Sequence, residues 1–242
     1  MKIILVILLS SVPFMTHAQK ASKQVENKSD TVITKDPLTP GREYWVIHNL
    51  KGNISSQGFM LQGKKDGTWR EYYDGNSALS KIAEYKGDTL NGIAVTVSAS
   101  GSVQTEETYM NGKKNGLRIS YSYFGGRMKL LENYTDDILN GTKKTFYEDG
   151  KIQEESNYKN GKRDGVVTWF LQNGSPSMEY TYENGQLQGP AKVFDENGKI
   201  KQEGIYRNDN EEGEWKEYKD SVLVKKIIYR QGQILKEVQV KK

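Results

Sequence analysis

The sequence contains no cysteine. That removes disulfides from its stability and excludes zinc–cysteine centres, thiol catalysis and a lipid-anchored cysteine near the N-terminus. Histidine is almost as scarce, with two in 242 residues. His17 falls in the leader described below, which leaves His48 as the one imidazole of the mature chain. No Ser or Asp recurs beside it in the pattern a catalytic relay needs, and it reads as a strand residue. Apolar residues make up only 35% of the chain, too few to fill a thick two-layer core along its whole length. No mature segment sustains a 3.6-residue apolar period, so almost no helix is expected.

Neither sign of charge dominates. Lys and Arg number 35 against 31 Asp and Glu, for a net charge of +4. Lysine and glutamate alternate along the chain, as at Glu71, Lys81, Glu84 and Lys86, whereas nucleic-acid binders gather basic charge in patches. Nucleic acid is therefore excluded as a partner. The acidic clusters at Asp136-Asp137 and between Asp209 and Glu214 lack the alternating spacing of a calcium loop and read as solvated turns. Gly125-Gly126 precedes no strand-to-helix transition, so it is not a phosphate loop. No metal, cofactor or catalytic residue is expected, and the chain reads as a non-enzyme.

What is present begins with a leader: Met1-Lys2, a nearly unbroken apolar run from Ile3 to Val12, then Thr16-His17-Ala18-Gln19 with small residues at cleavage spacing. Residues 1–18 read as a signal peptide cut between Ala18 and Gln19, the apolar run being too short to span a bilayer. The mature protein is then exported, to the periplasm or the cell exterior, with no membrane span. Residues 19–41 are polar, lack aromatics and end in Asp36-Pro37-Leu38-Thr39-Pro40. They read as a disordered linker.

From residue 42 onward the chain repeats itself. One glycine recurs at Gly67, Gly92, Gly116, Gly141, Gly165, Gly189 and Gly213, and a tyrosine keeps step at Tyr85, Tyr109, Tyr134, Tyr158, Tyr182, Tyr206 and Tyr229. Five residues after each glycine stands Tyr72, Val97, Tyr121, Phe146, Phe170, Phe194 or Tyr218, and a second glycine usually follows. A partial unit with Trp45 and Met60 precedes the series, and another opens at Tyr229. The chain holds eight Asn-Gly and four Asp-Gly pairs, nearly all at repeat positions. These dipeptides tolerate the positive φ of tight turns, so the recurring glycines are expected at turns. Val103, Met128, Ile152 and Ile200 stand six residues before a tyrosine, an even offset that places both on one face of a strand. Gln153, Glu155 and Asn157 lie on the other, wetter face. Each unit of about 24 residues is therefore two half-buried antiparallel strands, and the fold class is all-β, an elongated meander of about seven hairpin repeats.

The pattern Tyr-x-Asn-Gly-x-x-x-Gly, an aromatic five residues on, then a second glycine turn and Glu-x-x-x-Tyr, clearest from Tyr158 to Tyr182, resembles the bacterial variant of the MORN repeat. The resemblance covers roughly five sixths of the chain and departs from the family pattern at Asp137, Asp209 and Asp220, where irregular units are expected. It implies a single twisted sheet with one hairpin per repeat, and a role in binding or organising a partner. Proteins with this repeat are often catalogued as antitoxin-like. Three readings follow: an exported module that binds or scaffolds a protein or peptide, an antitoxin or immunity protein, and a glycan-binding surface module. Tyr85, Tyr109, Tyr134, Tyr158, Tyr182 and Tyr206 are the candidate binding residues, because a tyrosine offers an apolar face and a hydroxyl together. The same ladder is also what cross-strand packing requires.

Overall fold

The computed structural model of the protein describes residues 27–28, 31–75 and 77–240. The expected signal peptide and the first part of the expected linker lie outside the described residues. Among the described residues there is no helix, and 21 strand segments form one sheet. Each strand pairs antiparallel with its chain neighbours, the two-residue segments Ile138–Leu139 and Lys162–Arg163 sharing their partner strand with the segment that follows each. Arg42–His48 pairs with Ile54–Leu61, which pairs with Lys64–Tyr72, and the meander continues to Val222–Arg230 and Gln233–Gln239.

The array begins earlier than expected. Thr31–Lys35 is a strand paired with Arg42–His48, and Asn27–Lys28 pairs with it in turn. The linker assigned to residues 19–41 is therefore corrected from residue 27 onward. Thr31-Val32-Ile33-Thr34 is a run of β-branched residues, which favour a pleated strand, and the proline-bearing stretch after it is the turn that returns the chain.

The two margins of the sheet carry different turns. On one margin the hairpins close in two residues, both with positive φ: Asn111 and Gly112, Asn160 and Gly161, Asn184 and Gly185. These are type I′ turns, whose twist matches that of the flanking strands. Asp136-Asp137 and Asn208-Asp209 adopt the same conformation without glycine, so the irregularity expected at Asp137 and Asp209 is corrected, whereas at Asp220 it stands: Asp220-Ser221 closes that hairpin in two residues in place of the wider loop. The cost of a left-handed aspartate is offset by a bond to the preceding repeat. Asp137 Oδ1 accepts the Lys114 amide and Asp209 Oδ1 the Leu187 amide, each at 2.7 Å. On the other margin a wider loop recurs. Between Tyr147 and Lys151, Gly150 donates to the Tyr147 carbonyl at 2.8 Å with φ at +87°, a type I turn closed by a left-handed glycine.

The seven recurring glycines occupy neither turn. Gly67, Gly92, Gly116, Gly141, Gly165, Gly189 and Gly213 all lie in strands and all have positive φ. They sit at bulges. Tyr180 pairs with Ala191 and Tyr182 with Leu187, so the three residues from Gln188 to Pro190 oppose Thr181 alone. The Asn-Gly and Asp-Gly signature thus marks three features of the unit: the type I′ turn, a β-bulge four residues later, and the wider loop on the other margin.

With no second layer stacked on it among the described residues, the sheet gains its burial sideways. On the tyrosine face a central row runs from strand to strand: Gly58, Trp69, Ala83 and Ala94 toward one end, and Val167, Tyr180, Ala191 and Gly204 toward the other, with Trp215 and Ile227 beyond. Trp69, Ala83, Val167, Ala191, Trp215 and Ile227 are almost fully buried. Large rings alternate with small residues in this row, so that each indole or phenol covers its neighbour.

Candidate functional site

The register explains why glycine and tyrosine keep one beat. Each bulge glycine is the cross-strand partner of the tyrosine that ends the next strand: Gly67 with Tyr85, Gly92 with Tyr109, Gly116 with Tyr134, Gly141 with Tyr158, Gly165 with Tyr182, Gly189 with Tyr206 and Gly213 with Tyr229. All seven tyrosines stand on one face in one row, and all are half-buried. The six candidate binding residues are thus brought together as a ladder whose rings are packed as well as presented.

Their hydroxyls are tied down by carboxylates. Tyr109 donates to Glu107 at 2.8 Å, Tyr134 to Glu132 at 3.0 Å and Tyr206 to Glu211 at 3.4 Å, whereas Tyr158 accepts from Arg163 Nε at 3.3 Å. Burial, followed by the bond to Glu107 and its charge, pushes the Tyr109 hydroxyl up to about 12. Burial and the Glu211 charge do the same to Tyr206. Both hydroxyls remain protonated donors across the physiological range.

Across five successive type I′ turns the tyrosine faces a residue that alternates in kind, Leu90 beside Tyr85, Lys114 beside Tyr109, Leu139 beside Tyr134, Arg163 beside Tyr158 and Leu187 beside Tyr182, and the alternation ends at Tyr206, which faces Glu211. The cations reach over the next rings. Lys65 Nζ stands 4.6 Å from the Trp69 centroid and 4.9 Å from Tyr85, Lys114 Nζ 5.4 Å from Tyr134, and the Arg163 guanidinium 5.4 Å from both Trp169 and Tyr182. A cation over a ring face is attracted by the ring quadrupole.

At mid-array the buried row turns from apolar to charged. Ala94 pairs with Glu107, Glu107 with Arg118 and Arg118 with Glu132. Arg118 Nε donates to Glu107 Oε1 at 3.0 Å and Nη1 to Glu132 Oε2 at 2.9 Å, while Lys114 Nζ lies 3.1 Å from Glu107 and Lys143 Nζ 3.9 Å from Glu132. Glu132 is only 7% exposed. Burial alone would raise the Glu107 carboxyl, but the Tyr109 hydroxyl, Lys114 and Arg118 reverse that and hold it below the ordinary carboxylate value. Burial would likewise lower Arg118, and its bonds to Glu132 and Glu107 outweigh it, raising the guanidinium. The sequence alone does not show this network, because Glu107 lies in a different repeat from Arg118 and Glu132 and only the strand register puts the three in line.

His48 ends a strand and pairs in register with Ile54. Among the described residues no group of three or more His, Asp and Glu is placed to hold a metal ion. What the tyrosine face presents is ring faces, hydroxyls held by carboxylates, and cations spaced along one row.

No curated protein matches the chain. A family model, the MORN repeat variant, matches residues 139–160, 163–184 and 187–208. Each match runs from just after one type I′ turn to the first residue of the next (Asn160, Asn184, Asn208), so the family unit is the hairpin closed by the wider glycine loop. The chain carries three consecutive MORN repeat variants between residues 139 and 208.

Proposed function

We propose that this is an exported, non-catalytic repeat protein that binds or scaffolds a protein or peptide partner at the cell envelope, using the tyrosine face. The observation that carries the reading is the row of seven half-buried tyrosines with Lys65, Lys114 and Arg163 over aromatic rings, on a sheet whose faces no other described segment covers. Rigid aromatic rings and arginine are the side chains most enriched where proteins bind each other tightly. Export rests on the leader at residues 1–18. The test is capture from the native envelope fraction with the chain from Gln19 onward, beside a variant with Lys65, Lys114 and Arg163 changed to Gln that keeps the rings and is checked for folding by circular dichroism. Capture of one specific protein, lost in the folded variant, supports the reading. A toxin as that protein selects the antitoxin form of it, whereas capture of polysaccharide alone selects the glycan module and overturns it.

A further inference from the structure

One arrangement recurs three times on the face opposite the tyrosine ladder. A polar side chain bonds the phenol fifteen residues further on, and a third residue pairs with that side chain across the strands. In the first copy Gln57 donates to Tyr72 and pairs with Arg70. In the last, Tyr218 donates to Glu203 at 2.7 Å, and Lys216, paired with Glu203, brings its Nζ to 3.7 Å from the same carboxylate. In the middle copy Tyr121 donates to Glu106 Oε1 at 2.9 Å, and the position of the lysine is held by Ile119.

Of the two acids among the three, Glu106 is therefore the one without its counter-charge. Its lateral neighbours on that face are Val95 and Ile119, with Ile82 and Leu131 beyond them. Among the described residues no cation comes within ion-pair distance of the carboxylate, and Oε2 takes no hydrogen bond. Burial and the Glu106 charge push the Tyr121 hydroxyl up to about 12, so it stays a donor to Oε1 and leaves Oε2 as the open acceptor. Glu106 and Tyr121 line a recess of about 450 Å³ together with Ser102, Val103, Gly125 and Gly126. The two glycines belong to the loop between Ser122 and Arg127, which also exposes Tyr123 and Phe124.

We propose that this recess binds a lysine or arginine side chain of a protein or peptide, at a second site on the face opposite the tyrosine ladder, an inference that rests on the reading of the protein as a binder of proteins or peptides. A half-buried carboxylate in aliphatic surroundings favours a ligand that brings both charge and apolar contact. An alkyl cation does so: its stem lies on apolar surface and its head meets the carboxylate and the adjacent phenol ring. A metal ion would find a single carboxylate there, fewer oxygen ligands than a hard cation takes. A neutral ligand would leave the charge unpaired. Lys216 beside Glu203 is the internal form of the same solution.

The test is an NMR titration of the full chain with n-butylammonium and n-butylguanidinium chloride, with n-butanol as the uncharged control. Expected are saturable shifts at the Ile119, Tyr121, Gly125 and Gly126 amides with the cations, and binding weaker by at least about tenfold for butanol. Glu106→Gln loses the same factor. Ile119→Lys, which supplies the internal counter-ion, does so too, and Lys216→Ile opens a second set of shifts around Tyr218. Equal binding of butanol, or unchanged affinity in Glu106→Gln, overturns the proposal; if Ile119→Lys fails to fold, Glu106→Gln decides. Partner capture that persists while the alkyl cations do not bind removes the recess alone, and cation binding without any partner capture removes the tyrosine-face reading alone.

Discussion

Gly204 pairs with Ala191 in the buried row, and the Trp215 indole lies across it. Its φ is not in the left-handed region, so alanine meets no backbone objection there. The obstacle is space: a Cβ on Gly204 would stand 2.1 Å from Trp215 Cδ2 and 2.3 Å from Cε2. The indole is 3% exposed, donates from Nε1 to the Ile205 carbonyl at 3.2 Å, and meets Tyr206 and Tyr229 edge-on at 5.1 and 6.1 Å. In Gly204→Ala it has to leave that position. Overpacking a core costs about 1–3 kcal/mol, and complete loss of a buried Trp about 3–5 kcal/mol, so a loss of about 3 kcal/mol is expected. Contacts run only between neighbours, so the damage stays in the last hairpins. Urea unfolding followed by tryptophan fluorescence measures the size, and hydrogen exchange the location. The decisive control is a double-mutant cycle: in a Trp215→Leu background Gly204→Ala should cost less than about 1 kcal/mol. Additive losses, or a Gly204→Ala protein with the parent midpoint, would refute the close-approach argument. Gly58 stands in the same relation to Trp69, with Cγ 2.6 Å from a Cβ built there, and should behave alike at the other end.

Gly165 has φ at +98° and its Cβ would meet nothing closer than Asn157 at 4.0 Å. Gly165→Val should therefore cost more than about 1–2 kcal/mol through the backbone alone; a variant with the parent's urea midpoint would show that the bulge does not need glycine. Ser156 is fully buried and its Oγ has no hydrogen-bond partner among the described residues. Ser156→Ala removes an unsatisfied hydroxyl and should raise stability by about 1 kcal/mol, and a lower melting temperature would reverse that reading. Tyr109, Tyr121 and Tyr206 are raised from 10.0 to about 12 by burial and then by their glutamates. A folded value above the unfolded one means that their contribution is whole below pH 10.0 and is lost as pH climbs toward 12. Tyrosinate absorbance should accordingly lag that of the urea-unfolded chain, and coincident titrations would contradict it.

The repeat, the all-β class and the antiparallel meander were legible because two residues kept one spacing and the apolar positions alternated. The placement of the glycines was not, since Asn-Gly satisfies a type I′ turn and a β-bulge equally and the dipeptide carries no mark of which it makes. Asp137 read as a broken turn because its compensating bond, from the Lys114 amide, comes from another repeat. Thr31-Val32-Ile33-Thr34 is hidden among polar neighbours, although its β-branching favours a strand. Gly58 and Gly204 stand outside the glycine beat and acquire meaning only from the indole across the strand. The tyrosine ladder was visible in sequence; the charged row beside it depends on lateral register, which no local pattern encodes.

That row poses the sharpest energetic question in the molecule. Where the flanking repeats place Ala83, Ala94 or Val167, the middle ones place Glu107, Arg118 and Glu132. Taking such charges out of water costs what their mutual attraction returns, and each end of this triad is also held by a tyrosine hydroxyl. Removing one member should then hurt more than removing all. Glu132→Ala alone leaves Arg118 half-buried with one of its two carboxylates gone and should lower the urea midpoint clearly. Glu107→Ala combined with Arg118→Val and Glu132→Ala installs the apolar solution the chain already uses elsewhere, and should match or exceed the parent. Should the triple variant lose at least the sum of the three single losses, the network would be a net source of stability and this reasoning would fail. Should it hold its stability but give broadened or doubled amide spectra from residues 103 to 146, the charges would be holding the register of a sheet in which a one-residue slip turns every side chain to the wrong face.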